Sequence, residues 1–207
     1  MSKFIVVEGS EGVGKSTQIN TIKSFLDNHD IDYIVTREPG GTKFGESIRS
    51  IILDQNNSTD NVTDSLLFYA SRYENYNKLI LPSLRKGKTV ICDRFHYSTL
   101  VYQGIVGESE LVKKMHSIFD DIFSQSIDHV IYLYTDPAES FKRISRRSET
   151  DKFESRGLEY LEQLSNAYDS VFSDMNNVAR LDTSGDKEVT KKNLFKILTS
   201  IFLHNDQ

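Results

Sequence analysis

The sequence predicts an α/β fold: a five-stranded parallel sheet with helices on both faces. Short β-branched apolar runs recur at residues 4–7, 33–36, 89–92, 130–134 and 178–181. Most are continuous rather than alternating, as expected of strands covered on both sides. Between them apolar residues return at helical spacing, and strand–helix alternation of this kind builds a parallel sheet.

The elements follow in order. The first strand, 4–7, runs into a glycine-rich segment and then a helix, 15–26, with Ile19, Ile22, Phe25 and Leu26 on one face. The second strand ends at Arg37, before a Pro39-Gly40-Gly41 turn and a short helix bearing Arg49. A long helix, 64–84, carries "LLFYASR", and its Tyr69, Tyr73 and Tyr76 form a stripe read as core or dimer contact. The third strand, 89–92, leads into "DRFHYSTLVYQG". Helices at 111–123, 137–144, 158–172 and 189–202 alternate with the last two strands. No repeat or linker interrupts the chain, so residues 1–207 are expected to form one domain, with a mobile Arg-rich lid at about 142–155. Ligands of such sheets bind at the carboxyl ends of the strands, which gathers Glu8, Arg37, Asp93 and the loop after Tyr134 on one rim.

Composition narrows the function. The 207 residues carry a net charge of −5, which argues against a broad basic face for nucleic acid. No apolar run approaches the roughly 20 residues that span a bilayer, and no signal peptide is expected, so neither a membrane nor a secretory route is predicted. The single cysteine, Cys92, lies inside a strand run and reads as a core residue in a reducing, cytoplasmic setting. His96 and His116 show no metal-ligand partners at useful spacing, and no zinc site is assigned to them.

Gly9-Ser10-Glu11-Gly12-Val13-Gly14-Lys15-Ser16 matches G-x-x-x-x-G-K-[ST], between a strand and a helix, which specifies a P-loop NTPase fold. Backbone N–H groups and a helix N-terminus face the phosphates, Lys15 reaches the β- and γ-phosphates, and the Ser16 hydroxyl serves Mg²⁺. Asp182-Thr183-Ser184-Gly185 resembles a switch-GTPase motif, but it lies too near the C-terminus for N-K-x-D to follow. A motor ATPase usually needs more chain for a coupling domain, which leaves a small-molecule kinase. The arginines fit that class, because a guanidinium holds phosphate bidentately. Arg37 and Arg94 end strands on the rim, Arg49 and Arg72 lie on helices, and Arg143, Arg146, Arg147 and Lys152 fill a polar segment that could close over phosphates.

Together "VEGSEGVGKST", "TREPGGT", "LLFYASR", "DRFHYSTLVYQG", "IYLYTDP" and the Arg-rich segment resemble the bacterial thymidylate kinases, in the family's order and over nearly the whole chain. The resemblance implies transfer of the γ-phosphoryl of ATP to dTMP, giving dTDP and ADP with Mg²⁺, by a homodimer packed through helices. It implies that Phe68 stacks on thymine and Arg72 reads the base edge. Arg37 and Arg94 hold the acceptor phosphate, with Arg49 lining the pocket. Tyr102 sits against the sugar, while Ser98, Thr99 and Gln103 face the base. Glu11 approaches the acceptor, Asp93 organises Mg²⁺ through water, and the Thr183 to Asp186 loop lies beside adenine. Thr17 and Arg143 join the ATP site, and Arg147 acts on the transferred phosphoryl. The chain departs from the family in having Tyr134 where an Asp is usual and Lys152 where many relatives have Arg. Another monophosphate kinase would alter the base-reading residues, and a non-catalytic nucleotide-binding protein would tolerate loss of the Arg-rich segment.

Overall fold

The computed structural model describes residues 2–54, 56–146 and 156–203. Arg147, Lys152 and the greater part of the expected lid lie outside the described residues. Five parallel strands form one sheet: β1 (Phe4–Glu8), β2 (Tyr33–Arg37), β3 (Thr89–Asp93), β4 (His129–Tyr134) and β5 (Val178–Asp182). They stand in the order β2-β3-β1-β4-β5. The register sets Val7 opposite Asp93, and Arg37 opposite Asp93 on the other side. Three strand ends therefore deliver their last residues to one rim.

Alternate strand residues enter different cores. Phe4, Val6, Val90, Cys92, Val130 and Tyr132 face one helical layer with Phe95, Phe123, Leu164 and Tyr168. Ile5, Val7, Ile91, Ile131 and Leu133 face the other with Ile22, Phe25, Leu26, Leu194 and Leu198. This division explains why the strands read as unbroken apolar runs rather than alternating ones. Helices α1 (Lys15–Asn28) and α9 (Lys187–Phe202) cover the second face. Helices α2 (Lys43–Leu53), α3 (Asn61–Asn75), α6 (Glu110–Phe123), α7 (Pro137–Ser145) and α8 (Leu158–Val171) complete the major elements. Among the described residues, no helix is long and apolar enough to cross a membrane.

Two stretches depart from plain α-helix. The expected long helix starts earlier, at Asn61, because Asp60 accepts hydrogen bonds from the Val62 and Thr63 N–H groups. It then passes through a π turn at Tyr76–Ile80 into α4 (Leu81–Arg85). Pro82 cannot donate a backbone hydrogen bond, and Leu81 N–H reaches five residues back to the Tyr76 carbonyl. A second π turn, Leu100–Ile105, follows the short helix α5 (His96–Thr99). The tyrosine stripe divides: Tyr69 and Tyr76 are buried, whereas Tyr73 is half-exposed.

The histidines correct the sequence reading. His116 and Asp120 are one helical turn apart on α6, and both face His96 at the start of α5. His96 Nε2 donates to Asp120 Oδ1 at 2.8 Å. Burial pushes both imidazoles down to about 4.

Leu194 is fully buried between α9 and the sheet, whereas Val189 on the same helix is 57% exposed. Leu194→Ala is expected to cost about 2–5 kcal/mol in urea unfolding, and Val189→Ala within about 0.5 kcal/mol of nothing.

Candidate active site

The P-loop turn joins β1 to α1, and glycine is required where the chain curls back on itself. Gly12 has φ +75°, and a Cβ there would lie 2.6 Å from the Ser140 carbonyl oxygen. Gly14 takes φ 91° immediately before α1. Val13 turns its side chain into the core, so its contribution to the turn is its backbone. Lys15 Nζ donates to the Gly9 and Ser10 carbonyls at 3.0 and 2.9 Å. Desolvation, reinforced by the Arg94 charge, lowers Lys15 to about 8.

Arg94 is the junction of the rim. It follows β3 with φ 65°, a left-handed conformation that costs a non-glycine residue energy. Several contacts hold it there. Its N–H donates to the Val7 carbonyl at 2.9 Å. Its Nη1 reaches the Gly9 carbonyl at 2.8 Å and the Tyr168 hydroxyl at 3.2 Å, and its Nη2 reaches Glu11 Oε1 at 2.9 Å. Glu8, buried at the end of β1, accepts from the Phe95 N–H at 2.8 Å, the Ser98 hydroxyl at 2.7 Å and the Tyr168 hydroxyl at 3.1 Å. Burial raises the Glu8 carboxyl, against the pull of Arg94 and these donors. Tyr102 donates to the Glu11 carboxylate, 2.7 and 2.6 Å from its two oxygens, and its ring lies under the Arg94 guanidinium.

A second buried network centres on Arg72. Arg72 Nε donates to Glu38 Oε2 at 2.5 Å, Nη1 to the Thr99 hydroxyl at 3.1 Å, and Nη2 to the Phe95 carbonyl at 3.1 Å. Its guanidinium also stacks over Tyr69 and Phe95. Burial raises Glu38, while Arg72 and Asn75 pull it down. Nearer the opening, Arg37 pairs with Glu46 at 2.8 Å, and Arg49 donates to the Pro39 carbonyl at 3.1 Å.

These walls enclose one cavity of about 350 Å³. On one side it is lined by Gly12, Gly14, Lys15, Ser16 and Thr17, and on the other by Arg37, Arg49, Phe68, Arg72 and Gln103. Glu11, Asp93, Arg94, Ser98, Thr99 and Tyr102 lie between. Gly9, Ser10, Val13 and Arg143 stand outside its lining. Ser98 and Thr99 reach the wall, but their hydroxyls bond to Glu8 and Arg72. Arg143 spans the P-loop and the loop after β5, with Nη1 at the Gly12 carbonyl and Nη2 at the Thr183 carbonyl. Tyr134 replaces an expected carboxylate and stacks under the Arg180 guanidinium instead.

Sequence reasoning missed the partner acids and the hydroxyl that organise these cations. Glu38 lies inside the TREPGGT motif without an assigned role, and Tyr168 lies on the helix expected at 158–172 with none. Glu8 was placed on the rim without a partner. A buried acid beside a strand-end arginine was the available signal for Glu8; Tyr168 gave none.

Asp93 Oδ1 is buried and has no hydrogen-bond partner among the described residues, beside Lys15 and Ser16 on the cavity wall. Oxygen donors in that position suit a hard cation that keeps its waters, as Mg²⁺ does.

A phosphate-binding turn facing a second cluster of arginines is the arrangement of a kinase whose acceptor is itself phosphorylated. The thymidylate kinase family model matches residues 7–194. A thymidylate kinase of Francisella philomiragia is 37% identical over 206 residues, covering 98% of this chain and all of that protein. A thymidylate kinase of Francisella tularensis subsp. novicida is 35% identical over 204 residues, 97% of each chain. With the motifs matched in order along almost its full length, the chain belongs to the thymidylate kinase family.

Proposed function

We propose that this chain transfers the γ-phosphoryl of ATP to the phosphate of dTMP, giving dTDP and ADP. The observation that carries the reading is the single cavity that joins the P-loop to Arg37, Arg72 and Arg94. The donor lies along Gly12 to Thr17 with Arg143 behind it. The acceptor phosphate lies between Arg37 and Arg94, and the base lies between Phe68 and the wall of Arg72, Thr99 and Gln103. Glu11 and Tyr102, fixed to each other, face the sugar.

The attacking group is already an anionic phosphate oxygen, so no strong general base is needed. The barrier is the meeting of two polyanions in line, and the chain lowers it by positioning and charge neutralisation. Lys15 meets the β- and γ-phosphates, and Arg94 holds the acceptor against them. The Glu11 carboxylate stands between Arg94 and Tyr102 and restrains both. Ser16 and Asp93 would hold Mg²⁺, which neutralises phosphate charge when bound. Arg147, the leading candidate for contact with the transferred phosphoryl, lies outside the described residues.

The functional molecule is a homodimer in the cytoplasm. Leu66 and Tyr73 on α3 and Leu111, Ile118 and Ile122 on α6 expose apolar side chains on two adjoining helices, an apolar face suited to a second copy. The single cysteine is buried in β3 and suits a reducing compartment.

ADP release with MgATP against dTMP, dUMP, dCMP, AMP, GMP and no acceptor tests the reaction. Turnover led by dTMP is expected, with Arg72→Ala raising the KM for dTMP more than that for ATP. Turnover led by another acceptor would overturn the base-site assignment. Because only protonated Lys15 serves the phosphates, kcat/KM for MgATP should fall as pH rises through about 8. The kcat at saturating ATP should hold to higher pH, since bound phosphate favours the charged amine; a kcat/KM flat to well above 9 would remove Lys15 from that role. For the assembly, Ile118→Glu should convert a dimer to a monomer in light scattering, and a wild-type monomer would sink the interface.

A further inference from the structure

We propose that His96, His116 and Asp120 form a second cation site, remote from the nucleotide cavity, for one borderline divalent ion of the Zn²⁺ class. One nitrogen from each imidazole and one carboxylate oxygen would supply three ligands, and water would complete the shell. The three donor atoms already lie within 4.8 Å of one another. Donors around a tetrahedral ion at Zn–N distances of 2.0–2.1 Å stand about 3.4 Å apart, so side-chain rotation of about 1 Å closes the set. The ring centres are 5.1 Å apart and their planes are within 13°. Two imidazoles sharing one ion place their centres about 5 Å apart with the ion in both ring planes, so binding keeps the spacing and turns the stacked rings toward each other.

Unspent coordination capacity points to a ligand. His96 is fully buried, and among the described residues its Nδ1 has no hydrogen-bond partner; His116 Nδ1 is likewise buried without one among them. His96 Nε2 and Asp120 Oδ1 share one proton across 2.8 Å, and an ion taking both atoms as ligands replaces that proton, which moves to His96 Nδ1 or to water. Two nitrogens and one oxygen favour Zn²⁺ or Co²⁺ over the all-oxygen preference of Mg²⁺, which separates this site chemically from Asp93 and Ser16. None of the three residues lines the nucleotide cavity.

The occupied site would tie α5 to α6. Helix α5 carries Ser98 and Thr99, and the Phe95 carbonyl just before it holds Arg72. The ion would thus brace the segment that positions Arg72 and Arg94 without touching either substrate.

Co²⁺ is the probe, titrated into chelator-treated full-length protein free of nucleotide and phosphate. Calorimetry should give one ion per chain, with visible absorption bands of four-coordinate Co²⁺ and a rise in Tm. His116→Gln and Asp120→Asn should each weaken binding at least tenfold, while Asp93→Asn should not. Asp120 is half-exposed, so Asp120→Asn reads the site even if His116→Gln fails to fold. Absence of one-to-one binding, equal affinity in Asp120→Asn, or loss of binding in Asp93→Asn alone would overturn the proposal. Each result is independent of which nucleotide the enzyme phosphorylates.

Discussion

The site depends on holding several arginines close together before any phosphate arrives. Like charges repel, and burial makes an unpaired guanidinium costly. The fold meets this with a carboxylate beside each cation: Glu11 against Arg94 and Glu38 against Arg72, both buried, and Glu46 against Arg37 nearer the surface. The pairs differ in exposure, and that sets their roles. Arg72 and Glu38 are sealed in the wall, so their geometry is fixed and removal of one strands the other. Arg37 and Glu46 are about half-exposed, where solvent weakens the pair and leaves Arg37 able to exchange its carboxylate for phosphate.

Arg94 shows how the sheet serves this arrangement. Its left-handed backbone persists because neighbours on every side determine it: Val7 on β1 accepts its N–H, and Glu8 anchors the following turn. Glu8 is the last residue of β1, so the P-loop and Arg94 hang from consecutive positions on one strand. Movement of either without the other is prevented by two adjacent residues. Tyr168 adds a third element, since its hydroxyl touches Arg94, Ser98 and Glu8 from α8.

The sheet, its parallel sense and the nucleotide rim were legible because their signals are local. Continuous β-branched runs mark strands buried on both faces, and the P-loop motif carries its own strand and helix. Residues named from motifs, including Lys15, Ser16, Arg37, Arg72, Arg94, Tyr102 and Gln103, lie around one cavity. What stayed hidden depends on contacts between distant positions. Glu38 and Arg72 are 34 residues apart, Glu8 and Tyr168 160 apart, and no spacing rule links such pairs. The π turns were hidden for another reason, since a one-residue shift in hydrogen bonding leaves the apolar period almost unchanged. His116 and Asp120 were a missed local signal: an i, i+4 pair on a helix needed only the third ligand from α5.

The second π turn sets where the neutral side chains after β3 stand on the cavity wall. Ser98 and Tyr102, and likewise Thr99 and Gln103, are four residues apart, so each pair projects on the same side of the helix. The wider turn at Leu100–Ile105 lets Tyr102 reach Glu11 while Gln103 stays on the cavity wall. On the proposed reading, selection of base and sugar rests on shape and on Gln103, because the Ser98, Thr99 and Tyr102 hydroxyls are already bonded to Glu8, Arg72 and Glu11. On that reading the arginines, which meet the phosphate that every nucleotide shares, mark the class of reaction, and the neutral segment after β3 marks the substrate.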